Sequence, residues 1–133
     1  MNTMIANLQR RRVALFDAGG TLITLDHDRV RRSLQPVSEA IPSDEAFELA
    51  EAGARRWADG AIRARMSGRE LWNGYFGSLL AGAGVEEPAI EACIEALWAA
   101  NQTQGLWRKP IGGAREVIAQ LRGAGFRMSV VSN

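Results

Sequence analysis

The sequence predicts an α/β fold in which a parallel-sheet core is interrupted by a large helical insertion. Three observations predict it. Residues 13–16 and 126–131 are short apolar runs, as buried parallel strands require. The second run follows an amphipathic segment between Pro110 and Ala124 and a Gly123-Ala124-Gly125 turn, so the tail reads helix, tight turn, strand. The long stretch between the two runs carries helix signals and no convincing strand.

Taken in order, residues 1–12 end in Arg10-Arg11-Arg12 and read as a basic, solvated tail. No apolar stretch follows that would make them a secretion signal. Residues 13–25 hold the first strand and a Gly-rich turn. Asp26-His27-Asp28 resembles a metal cluster or a polar linker, and the linker is favoured because adjacent residues on a turn diverge. Ser43 is the N-cap of a helix whose face is Phe47, Ala50, Ala54 and Trp57. Ser67-Gly68-Arg69-Glu70 matches a capping box, and Leu71, Trp72, Tyr75, Phe76, Leu79 and Leu80 form the wide apolar face behind it. Gly82 and Gly84 stop that helix. Pro88 opens the next one, with Ile90, Cys93, Ile94, Leu97 and Trp98 as its stripe. In the last helix Ala114, Val117, Ile118 and Leu121 share a face. The helical region is bounded at 26–108, and 109–133 returns to the core.

Composition narrows the function classes. A hydrophobic share of 47% is enough for a core and too high for a disordered chain. A net charge of +1 gives no strong pull toward nucleic acid. No run approaches the ~18 apolar residues of a membrane helix. The lone Cys93 excludes an internal disulfide, and a cytoplasmic location is expected. Cys93 itself reads as a small core residue. Most of Trp57, Trp72, Tyr75 and Trp98 are expected in the helical core rather than around a ligand, and Arg63, Arg65 and Arg69 on a solvated face.

Asp17-Ala18-Gly19-Gly20-Thr21-Leu22 delivers one carboxylate from a strand end to an amide-rich turn, where a phosphate or metal can sit. A turn-forming aspartate before Gly-Gly is the bland alternative. This segment resembles motif I of the haloacid dehalogenase-like (HAD) hydrolases, usually Asp-x-Asp-Gly-Thr. Val130-Val131-Ser132-Asn133 resembles motif II, an apolar strand ending in Ser or Thr. The helical region falls where that family inserts its C1-type cap. The resemblance spans residues 13–133 and implies a Rossmann-type parallel sheet with a helical C1-type cap. It implies Mg2+-dependent hydrolysis of a small phosphorylated metabolite through an aspartyl-phosphate. Asp17 would be nucleophile and Mg2+ ligand, and the Gly19 carbonyl a second ligand. Thr21 would fix the turn, and Gly20, Ser132 and Asn133 would bind the phosphate. Thr21 and Ser132 also fit as capping hydroxyls.

Two departures bear on the chemistry. Gly19 stands where the family has its second aspartate, so the leaving group loses a proton donor typically worth about 10²–10⁴-fold. The family's later lysine and acidic pair come after motif II, where this sequence stops. The 133 residues alone are therefore expected to be inactive, and poorly folded or self-associating through an open sheet edge. Three rivals stand beside the phosphatase reading. One is a carbon–halogen hydrolase of the 2-haloacid dehalogenase type, which uses the same aspartate without metal. The others are a non-catalytic binding or regulatory protein and a gene fragment.

Overall fold

The computed structural model describes residues 12–132; residues 1–11 of the basic tail, and Asn133, lie outside them. The element order is β1 (Val13–Asp17), β2 (Ile23–Leu25), α1 (His27–Leu34), α2 (Asp44–Arg63), α3 (Gly68–Gly82), α4 (Glu87–Gln104), β3 (Trp107–Pro110), α5 (Ala114–Gly123) and β4 (Arg127–Val131). The fold is α/β, with five helices and a small parallel sheet among the described residues. The chain divides into two compact units: a sheet unit of Met1–Leu25 with Trp107–Asn133, and a helical unit of Asp26–Leu106. Among the described residues no helix is long and apolar enough to cross a membrane.

In the sheet unit β1 and β4 pair in parallel, with Val13 opposite Arg127 and Asp17 opposite Val131. The α5 helix and its Gly123–Gly125 turn supply the crossover. Gly125 takes φ +80, which an L side chain tolerates poorly. Arg12 extends the ladder: its carbonyl accepts the Arg127 N–H at 2.8 Å, and its guanidinium lies over the Phe126 ring. The apolar face expected on α5 is present but unburied, and Val117 is half exposed. The parallel sheet offers that face only two strands to pack against.

A second sheet was not legible in the sequence. Antiparallel β2 and β3 pair Ile23 with Pro110 and Thr24 with Lys109, and the register shifts between Thr24 and Leu25. Three residues on one side, and a proline on the other, leave no period to detect.

The helical unit packs α2 on α3, α3 on α4, and α1 against α2 and α4. Ser43 caps α2 as its sequence position predicts, accepting from the Ala46 N–H at 3.2 Å. Ser67 is the N-cap of α3, but its hydroxyl makes no capping bond. Gly68, next in line, has φ +60 and departs from a regular first turn. The α1 helix corrects the linker reading of residues 26–28. Asp26 is an N-cap that accepts from the Arg29 N–H at 3.1 Å, and His27 begins the helix buried. Phe47, Phe76, Leu79, Leu80, Cys93 and Leu97 form the core. Trp72 and Tyr75 are buried with them, Trp72 edge-on to Trp98 at 5.0 Å. Trp57 differs: about a third of it is exposed, and its ring lies on the backbone of Gly74.

Candidate active site

Strand geometry carries Asp17 to the C-terminal end of β1, where it is exposed. Its Oδ1 accepts the Ala18 N–H at 2.9 Å. The chain then folds back at once. The Ala18 carbonyl gathers the N–H groups of Thr21, Leu22 and Ile23, and Gly20 N–H donates to the Ile23 carbonyl at 2.8 Å. Gly20 sits at φ +76, so the turn needs glycine there. Gly19 and Ile23 form an isolated bridge, but its two hydrogen bonds run through Ala18 C=O and Gly20 N–H. The Gly19 carbonyl takes part in neither.

Ser132 directly follows Val131, the register partner of Asp17. Asp17, Gly19, Gly20, Thr21 and Ser132 therefore gather at one end of the β1–β4 pair. Asn133 is outside the described residues. Lys109 is exposed on β3, opposite Thr24. A cavity of about 280 Å³ adjoins the turn, with Phe16, Thr21, Leu22, Ile111, Ala114 and Val117 in its lining. Phe16 and Asp17 alternate across the strand, so the cavity and the carboxylate belong to opposite faces.

Whether Mg2+ suits this end of the sheet depends on the donors. Among the described residues of the sheet unit only Asp17 and Glu116 carry a carboxyl group, and Glu116 is in the first turn of α5. No group of three His, Cys, Asp or Glu among the described residues could hold a metal. Mg2+ commonly takes one or two carboxylates and completes its shell with water and phosphate oxygens. The Asp17 carboxylate and the Gly19 carbonyl fit it in kind, as hard oxygens, at the low end of that number.

A second polar constellation lies in the helical unit. His27 Nε2 is 3.2 Å from Glu51 Oε2, and Glu51 Oε1 accepts from Arg55 Nε at 3.1 Å and Nη2 at 2.6 Å. The hydrogen bond from His27 holds the Glu51 carboxyl below its ordinary range, against burial and with Arg55 assisting. Burial pushes the Tyr75 phenol up, with the Glu51 charge adding to it. The i,i+4 pair Glu51–Arg55 was open to a sequence reader. His27 was not, because its partner is 24 residues away and only the fold joins them.

No protein-family model matches the chain, and no curated protein does. Among solved structures it is similar to the crystal structure of a dehalogenase, at 22% identity and a TM-score of 0.50, over 94% of this chain and 52% of that one. At that identity the likeness is one of fold. The chain spans about half the length of that structure.

Proposed function

We propose that this chain is the nucleophile-bearing part of a hydrolase that works through a covalent intermediate on Asp17. The observation that carries the reading is one carboxylate at the C-terminal end of a parallel strand, beside a Gly-Gly turn and one step from Ser132 on the neighbouring strand. In the phosphate-ester form, the Asp17 oxygen attacks phosphorus and the alcohol leaves. Water then hydrolyses the acyl phosphate and restores the carboxylate. Gly20 N–H is committed to Ile23, and the N–H groups of Thr21, Leu22 and Ile23 to the Ala18 carbonyl, so phosphate contact falls to Ser132 and to the Gly19 N–H. Asp17 and the Gly19 carbonyl would hold Mg2+, which supplies positive charge against the phosphoryl oxygens.

Carbon–halogen hydrolysis is the second reading, and a specific observation favours it. Gly19 offers no proton donor, and a halide leaves without one, whereas an alkoxide does not. The dehalogenase neighbour supports the two readings equally. Mass spectrometry separates them. A phosphoryl-sized adduct, or its beryllium fluoride mimic, on Asp17 that requires Mg2+ supports the first. An ester adduct from a 2-haloacid that survives chelator supports the second. A chain that takes neither adduct defeats both and leaves a binding role.

A further inference from the structure

We infer that α1 is a releasable strap, fastened to α2 by the buried His27–Glu51 hydrogen bond and let go when Glu51 takes up a proton. At eight residues α1 is shorter than the ~12–15 that an isolated helix needs to be even marginally stable. Ser33 Oγ bonds back to the Arg29 carbonyl at 2.9 Å, which weakens a helix further. The strap therefore depends on its attachments. Val30 and Leu34 are buried, and the His27 ring lies 5.7 Å from that of Phe47 on α2. Arg31 and Asp44 also link α1 to α2, at 3.4 Å, but both are open to solvent and such a pair contributes little. The buried polar link, His27 to Glu51 at 3.2 Å, carries more.

A carboxylate only accepts, so His27 Nε2 carries the hydrogen, and that N–H is present whether the imidazole is neutral or charged. The proton that undoes the link is the one taken by Glu51. It cancels the charge at which both His27 and Arg55 point their donors. The His27 bond holds the Glu51 carboxyl below its ordinary range, against burial, so the link is complete above that range and lost as pH falls through the folded value. From α3, Tyr75 faces the pair and stays neutral. Asp28 of α1 is exposed, as are Glu87, Glu91 and Glu95 of α4, with Glu95 paired to Arg69. Release reaches the ends of the helical unit, which are Asp26 and Leu106. Asp26 N–H donates to the Leu106 carbonyl at 2.9 Å, while the Asp26 Oδ1 and carbonyl accept from Arg29 and Val30 N–H. Asp26 thus joins α1 to the closure of the unit, and loosening α1 loosens both.

Hydrogen exchange on the full chain, corrected for the intrinsic pH dependence of exchange, tests this. The Asp26 and Val30 amides should open separately from those of Phe76 and Leu79. Between about pH 7 and about pH 4 their protection should fall ~5-fold or more beyond any change at Phe76 and Leu79. Glu51→Gln should bring the neutral-pH protection of Asp26 and Val30 down to the acid level and remove its pH dependence. Asp44→Asn, which breaks the exposed pair, should leave the ratio of the two sets of amides within about 2-fold. The pH series on the unaltered chain needs no variant to fold. Amides of α1 that open only together with those of α3 at every pH overturn the inference. So does protection that Glu51→Gln leaves unchanged. A pH dependence that survives Glu51→Gln belongs to the Asp26 cap and overturns it as well.

Discussion

Phe76, in α3, is fully buried, while Leu15, at the centre of β1, is 67% exposed. The contrast holds across the two units. In the helical unit Val30, Leu34, Phe47, Ala54, Leu79 and Leu97 are all shielded by neighbouring helices. In the sheet unit Val13, Leu15, Val117, Val130 and Val131 are open, and no residue of α5 is buried. A helix satisfies its own backbone and needs only an apolar neighbour. A parallel strand needs partners on two edges and cover on two faces. The helical unit can therefore close its core over a short length of chain. The two parallel strands of the sheet unit cannot, and the same openness leaves Asp17 and its turn accessible.

The largest expected effect tests the division of labour between the units. Where the proposed turnover is measured, Asp17→Asn should reduce it on the order of 10⁴-fold or more, as loss of a nucleophile does. Thermal unfolding of the helical unit should be unchanged. A shift in unfolding with activity retained would break the comparison. Next, Phe76→Ala should destabilise the helical unit by about 3–5 kcal/mol, measured by denaturant unfolding. Gly74→Ala should cost about 1–3 kcal/mol, since an added Cβ would lie 1.8 Å from the Trp57 ring and force it off α3. Trp57 fluorescence should then shift to the red.

Glu51 gives the helical unit an acid limit. Its carboxyl is held lower in the fold than in the unfolded chain, so the stabilisation is present above the unfolded value and is lost as pH falls through the folded one. Chemical denaturation across the acid range should show that decline, and Glu51→Gln should flatten it. The smallest effect belongs to the open face of the sheet unit. Leu15→Ser in dilute solution should change stability by less than about 0.5 kcal/mol, because little burial is lost. A cost comparable to that of Phe76→Ala would mean that β1 is covered in solution.

Much of this was legible in the sequence, and what was legible was local. The Ser43 cap, the α3 and α4 stripes and the Gly123–Gly125 stop follow from neighbours within a turn of helix, where spacing of three or four residues is itself the signal. Asp17 at a strand end before Gly-Gly could be read for the same reason. The β2–β3 ribbon could not, since Ile23 and Pro110 carry no mutual signature along the chain. Nor could α1, whose Asp-His-Asp start looks like solvent-facing polarity until His27 is seen against Glu51.

The sequence by itself determined the helix faces, the strand runs and the Gly-rich turn after Asp17, because backbone propensity and apolar period act over a few residues. Only the tertiary structure decided that Ser132 stands next to Asp17, that His27 and Glu51 share a buried hydrogen bond, and that Leu15 is exposed while Phe76 is not. Those outcomes depend on which distant segments meet, and burial is a property of the neighbours a side chain acquires rather than of the side chain itself.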